Sequence, residues 1–207
     1  MKVKICGITS YEDAALALDA GADALGFNFF PPSPRYIEPR DANAIIRRLP
    51  PFAVIVGLFV NVERIENLEE TVLTAGVQVI QLHGDEDPAY CRRLAKYPLI
   101  KALRIGDKPV ALDPDSYPVR AFLLDVKEDA LFGGTGKSFD WNLAQSIDRK
   151  RPIILAGGLR PDNVHTAIRV VRPYGVDVCS GVEREPGKKD PGKLVEFMNE
   201  VRNVGRQ

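Results

Sequence analysis

The 207 residues, 45% hydrophobic and 27% charged, are enough for one substantial core and few for two independent ones, so one domain spanning 1–207 is expected. Lysine plus arginine balance aspartate plus glutamate at 28 each, which removes the broad positive field that draws a protein to nucleic acid or an anionic membrane and leaves a small molecule as the expected partner. No apolar run approaches the ~20 residues of a membrane span, and Met1-Lys2-Val3-Lys4 leads straight into a strand-like segment, so a cytoplasmic protein without a membrane partner is expected.

Short apolar runs rich in β-branched residues alternate with longer segments of helical periodicity. In chain order the spacing predicts a strand at 3–7, a helix at 11–20, a strand at 24–29, a helix at 39–49, a strand at 53–60 and a helix at 62–75. A strand at 79–83, a helix at 88–96 and a strand at 99–104 follow, and the 105–118 connection carries no clear helix. The remaining elements are a strand at 121–126, a helix at 139–147, a strand at 152–156, a helix at 161–171, a strand at 176–179 and a helix at 191–203. Gly21, Pro50, Gly76, Pro98 and Pro173 stop five of the helices. The alternation implies parallel βαβ units, and eight strands imply closure into a (β/α)8 TIM barrel of the α/β class. An open doubly wound sheet is the alternative, weakened because no G-x-G-x-x-G follows the first strand.

In such a barrel the chemistry sits where strands end and βα loops begin. There stand Cys6-Gly7, Asn28, Asn61, His83-Gly84-Asp85, Asp125, Gly157-Gly158, Asp177 and Ser180-Gly181. Gly157-Gly158 and Ser180-Gly181 place bare backbone N–H groups in the two loops that commonly hold phosphate, so a phosphorylated substrate is expected; tight turns are the plainer reading of either pair alone. Asp125 ends the apolar run Phe122-Leu123-Leu124, where an ionisable group is costly unless paired or used. Cys6 alternates in side with Ile5, so with Ile5 against the helices both Cys6 and Lys4 face the barrel interior; an inert core cysteine is the plainer reading. Arg35 lies in the stiff loop Pro31-Pro32-Ser33-Pro34, suited to gripping a carboxylate, or is a surface arginine in a rigid turn. His83 reads as a ligand contact or as a satisfied histidine at a strand end.

The glycines of 132–138 mimic a nucleotide loop, but Leu131 stands where Walker A spacing needs glycine, so the segment reads as a hinged lid or a plain flexible loop. His165 falls within a helix, Phe139 and Trp141 read as packing, and Cys6, Cys91 and Cys179, odd in number and without ligand spacing, read as free thiols with no metal site.

Taken in order, Lys4-Ile5-Cys6-Gly7-Ile8-Thr9, Ser33-Pro34-Arg35-Tyr36-Ile37, Gly57-Leu58-Phe59-Val60-Asn61, Gln81-Leu82-His83-Gly84-Asp85-Glu86, Gly133-Gly134-Thr135-Gly136, Leu155-Ala156-Gly157-Gly158-Leu159 and Ser180-Gly181-Val182-Glu183 make the chain resemble the phosphoribosylanthranilate isomerase family over nearly its whole length. The resemblance implies a cofactor-free Amadori rearrangement, an aldose-to-ketose shift in tryptophan biosynthesis, by a monomer or homodimer. It implies Asp125 as the general acid that protonates the furanose ring oxygen and Cys6 as the general base that removes the C2′ proton. It further implies Arg35 on the anthranilate carboxylate, Asp177 beside the cationic intermediate, and the backbone around Gly157, Gly158, Ser180 and Gly181 on the phosphate. Two positions depart from the family's pattern: Cys179 replaces a usual serine, and Val126-Lys127 follow Asp125 where a small hydroxyl residue is common.

Burial alone raises a thiol above its ordinary range, so Cys6 needs a cation to serve as a base, and Lys4, two residues earlier on the same strand face, is the candidate. Other phosphate-binding barrels, such as an indole-glycerol-phosphate synthase or a histidine-pathway isomerase, compete; the latter would want a carboxylate where Cys6 stands. A non-catalytic metabolite-binding barrel predicts loss of Cys6 and Asp125, and both are present.

Overall fold

The structure, a computed structural model, describes residues 1–105, 113–126 and 150–204. Eight parallel strands, β1 (Lys2–Cys6), β2 (Ala24–Asn28), β3 (Val54–Phe59), β4 (Val79–Leu82), β5 (Leu99–Ile105), β6 (Ala121–Val126), β7 (Ile153–Ala156) and β8 (Gly175–Val178), pair in chain order, and β8 closes on β1. The helices described are α1 (Tyr11–Asp19), α2 (Pro39–Ile46), α3 (Ile65–Ala75), α4 (Pro88–Arg93), α5 (Pro161–Val171) and α6 (Pro191–Asn203). The closed barrel read from the alternation is the fold this chain adopts, and the open sheet is excluded. The 132–138 segment and the 139–147 helix lie outside the described residues.

Side-chain caps start several helices. Ser10 accepts from the Asp13 N–H at 3.2 Å, Asp87 from Tyr90 at 2.7 Å and Asp190 from Lys193 at 3.0 Å. Three helix boundaries differ from the periodicity by three residues, each for a local reason. Helix α2 stops at Ile46 and not at 49, because the Arg48 and Leu49 N–H groups turn back to the Ile45 and Ile46 carbonyls at 3.0 Å. Helix α3 begins at Ile65 and not at 62, because Asn61 takes a positive φ of 47° and gives its N–H to Glu86 at 2.8 Å, while the Val62 carbonyl accepts from the Tyr90 hydroxyl at 2.7 Å. Helix α4 stops at Arg93 and not at 96, because the Leu94 N–H turns back to the Cys91 carbonyl at 3.1 Å and tightens the last turn.

The strand period of two divides the side chains into layers. Ile5, Leu25, Phe27, Phe59, Ile80, Leu82, Phe122 and Leu155 join Leu68, Val164, Ala167, Leu194 and Phe197 in one buried cluster, the core between strands and helices. Ile100, Ala102, Ala121, Leu123 and Ala156 form a second cluster inside the ring. Cys6 and Gly26 are register partners across β1 and β2, and a Cβ on Gly26 would lie 2.8 Å from the Cys6 Sγ and 2.9 Å from the Lys4 Cε. Glycine at 26 is therefore what lets the thiol and the lysine share the barrel interior.

Two polar constructions escape a reading by period. Lys101 on β5 is buried and donates to Glu86 at 3.0 Å and to the Gly84 carbonyl at 2.7 Å, while Glu86 also accepts from the N–H groups of Gly84 and Asn61. The pair thus ties together the loops that follow β3 and β4. Lys101→Met leaves that carboxylate buried without its counter-ion and is expected to cost about 3–5 kcal/mol of stability, read as a shift in the denaturant midpoint. A hairpin of β9 (Glu183–Glu185) and β10 (Lys188–Lys189) follows β8, turns at Pro186-Gly187, and is fastened by the Thr9 hydroxyl, which donates to the Gly187 carbonyl at 2.5 Å.

Candidate active site

At the carboxyl end of the strands a cavity of ≈ 350 Å3 opens, lined by Cys6, Arg35, His83, Asp125, Gly157, Gly158, Asp177 and Ser180 among others. Gly181 lies just behind it: a Cβ there would come 1.9 Å from the Leu159 carbonyl oxygen, so the loops after β7 and β8 touch backbone to backbone. Asn163, at the start of α5, pins the first of these loops by donating to the Gly158 carbonyl at 2.9 Å and accepting from the Arg160 N–H at 2.8 Å. Gly157 and Gly158 have φ values of 84° and 58°, a left-handed pair that turns successive N–H groups toward one side. Among the described residues, the N–H groups of Gly157, Gly158, Ser180 and Gly181 have no protein acceptor. Four uncommitted donors beside two touching loops make an anion cradle.

Beneath the cavity, β1 and β8 place Lys4 and Asp177 in register, and the Lys4 ammonium reaches both carboxylate oxygens at 2.9 Å. Burial pushes the Asp177 carboxyl up to about 6, only partly offset by Lys4. The Cys6 thiol is held well below its ordinary range, first by a hydrogen bond from Cys179, against the cost of burial, and then by the charges of Lys4 and Lys189. Lys4 thus has the expected effect on Cys6 without being its main cause.

Lys189 and Glu183 were not read from the sequence. The hairpin carries both back to the barrel mouth, where the Lys189 ammonium donates to the Cys6 carbonyl at 2.5 Å and to Glu183 at 2.9 Å. Glu183 also grips Arg35, accepting from Nε at 3.0 Å and from Nη2 at 2.6 Å. Burial opposes ionisation of Glu183, but its bonds to Arg35 and Lys189 outweigh that and hold its pKa below the ordinary value. Arg35 keeps Nη1 uncommitted among the described residues, and the three charged groups sum to one net positive charge near Cys6. The available signal was Pro186-Gly187 between short charged runs, a turn marker that brings Glu183 and Lys189 together.

Across the cavity, His83 Nε2 lies 2.8 Å from an Asp125 oxygen, and His83 Nδ1 lies 2.9 Å from the Gln81 side-chain nitrogen. In this arrangement Gln81 donates to Nδ1, and the ring proton sits on Nε2, donating to the Asp125 carboxylate. Gln81 Oε1 is then buried without a partner. Turning that amide over would instead let Oε1 accept from a proton on Nδ1, so the tautomer of the His83 ring is tied to the way the Gln81 amide points. His83 is thereby engaged at both nitrogens. Cys91, by contrast, is wholly buried in α4, its thiol pushed up to about 11 by burial, and it lines no part of this cavity.

Known proteins share both this sequence and this barrel. A family profile described as N-(5′-phosphoribosyl)anthranilate isomerase matches residues 3–200. The chain belongs to that family. The N-(5′-phosphoribosyl)anthranilate isomerase of Citrifermentans bemidjiense is 52% identical over 204 residues, covering 98% of both chains. The solved phosphoribosyl anthranilate isomerase of Thermotoga maritima is 44% identical and superposes with a TM-score of 0.88 over 98% of this chain and 99% of that one. A second solved isomerase, 42% identical with a TM-score of 0.86 over 98% of this chain and 99% of its own, was determined in complex with reduced 1-(o-carboxyphenylamino)-1-deoxyribulose 5-phosphate. Family membership makes the chain an isomerase, and no helix among the described residues is long and apolar enough to cross a membrane.

Proposed function

We propose that this chain converts N-(5-phosphoribosyl)anthranilate into 1-(2-carboxyphenylamino)-1-deoxyribulose 5-phosphate by a cofactor-free Amadori rearrangement in the cytoplasm. The observation that carries the reading is that Cys6 and Asp125, on strands three places apart round the ring, open into one cavity bordered by uncommitted backbone donors. Asp125, held by His83 at 2.8 Å, protonates the furanose oxygen, and the ring opens to a Schiff base. The Cys6 thiolate then takes the C2′ proton, giving an enolamine that tautomerises to the ketose. Both steps move protons within one substrate and pass no electrons to an outside acceptor, so no redox carrier enters. Separation keeps acid and base from neutralising each other.

Asp177, close to Cys6 and paired with Lys4, faces the positive charge of the Schiff base, and Arg35 offers Nη1 to the anthranilate carboxylate. Phosphate in the cradle and carboxylate at Arg35 would fix both ends of the substrate and so orient the sugar between them. Every group named comes from one chain, so a monomer and each half of a homodimer carry the same complete site. Rescue of a tryptophan-requiring strain that lacks this isomerase tests the reading; a folded, expressed chain that fails to rescue would end it.

The cradle makes its own prediction. Gly181→Ala must push the loop after β8 away from the Leu159 carbonyl and so spoil the convergence of the N–H groups. Losing one hydrogen bond to a charged phosphate, about 1.5–3 kcal/mol, corresponds to a rise in KM of roughly 10- to 100-fold. Steady-state kinetics should show the change mainly in KM, and inorganic phosphate should inhibit the variant correspondingly less.

A further inference from the structure

Cys6 is the last residue of β1, and Cys179 is the first residue after β8. The two strands run in parallel register from Lys2 opposite Gly175 to Ile5 opposite Val178, and the next step of that register sets Cys6 beside Cys179. Neighbouring strands lie about 4.8 Å apart, within the roughly 4.4–6.8 Å separation of Cα atoms that a disulfide bridges. Both cysteines line the cavity, and the Cys179 Sγ reaches over Gly7, the residue after Cys6, where an added Cβ would lie 2.9 Å from it. The second thiol is therefore already placed against the first, and both face a space that a small solute enters.

We infer that Cys6 and Cys179 form an oxidation site at which a peroxide joins the two sulfurs in a reversible disulfide and so shuts off the isomerase. The Cys6 thiolate attacks one peroxide oxygen; an S–O bond forms, the O–O bond breaks and hydroxide leaves, which takes up a proton to become water. Cys179 then attacks the Cys6 sulfur of the resulting sulfenic acid; an S–S bond forms, the S–O bond breaks and the departing hydroxyl takes the Cys179 proton as a second water. Two thiols lose two electrons and one peroxide gains them. Lys4 and Lys189 hold Cys6 in the nucleophilic form, and Cys179, whose S–H points to a Glu183 oxygen at 3.7 Å, keeps its proton until the second step. Cys91, fully buried away from the cavity, is the internal control.

The loss of activity rests on the reading of Cys6 as the base, whereas the cross-link does not, and the experiment reads the two separately. The purified full-length chain is treated with hydrogen peroxide, its free thiols are alkylated, and it is digested without reductant for mass spectrometry, with activity assayed before and after dithiothreitol. A peptide joining Cys6 to Cys179 is expected, with an activity loss of about 100-fold or more, as for removal of a general base, and recovery on reduction. Cys179→Ser, compared with its own untreated rate, should give no joined peptide and should carry Cys6 onward to the sulfinic acid, a loss that dithiothreitol does not reverse. Treated wild-type protein in which both cysteines stay free or are oxidised separately would overturn the inference and leave the assignment of Cys6 as base standing. A joined peptide with undiminished activity would overturn the shut-off and the assignment of Cys6 together.

Discussion

Cys6→Ser is expected to lower kcat by about 10²- to 10⁴-fold, the usual worth of a positioned general base, while leaving KM within a few-fold of the wild type. The serine hydroxyl fits the space that Gly26 leaves, so the barrel should survive the change, but it gives up its proton far too reluctantly to replace a thiolate. The pH dependence sharpens the prediction. A base works only when deprotonated, so wild-type activity should climb with pH along a limb set by Cys6, and because Cys179, Lys4 and Lys189 hold that thiol down, the limb should lie below the ordinary thiol range near 8.5. Lys4→Met removes one of the two cations and should move the limb upward. Since the same change also strips buried Asp177 of its partner, the position of the limb and not the height of the profile is the reading. A limb that stays in place would show that the charge of Lys4 does not act on the base.

The eight strands were legible because parallel strands buried on both faces read as short β-branched runs, and because five helices carry glycine or proline stops. The site was half legible by the same logic. Once β1, β6, β7 and β8 are placed, Cys6, Asp125, Gly157 and Asp177 must stand at the mouth, whatever else the chain does. Hidden were the long-range pairs: Arg35 with Glu183 and Lys101 with Glu86 join loops whose proximity exists only after closure, and periodicity speaks of faces rather than partners. His83 shows the limit most clearly. Its place at a strand end was evident, yet whether it meets the ligand or another side chain depends on β4 and β6 bringing it 2.8 Å from Asp125, and that follows from the strand order of the ring.

Asp125→Asn should lower kcat by about as much, roughly 10²- to 10⁴-fold, for a different reason. The amide keeps the size of the carboxyl and a bond to His83 but has no acidic proton to deliver, so ring opening loses its acid while C2′ deprotonation keeps its base. The two variants are therefore separable by isotope. With deuterium at C2′, proton removal by Cys6 carries a primary effect, so the rate of Cys6→Ser should show the isotope effect in full. In Asp125→Asn the slow step moves back to ring opening, where the C2′ bond is untouched, and the effect should shrink toward unity. His83→Ala should fall between wild type and Asp125→Asn in rate, because the carboxyl still reaches the substrate but has lost the hydrogen bond that orients it. Equal isotope effects in Cys6→Ser and Asp125→Asn would mean that the two groups do not divide the reaction as their positions on β1 and β6 imply.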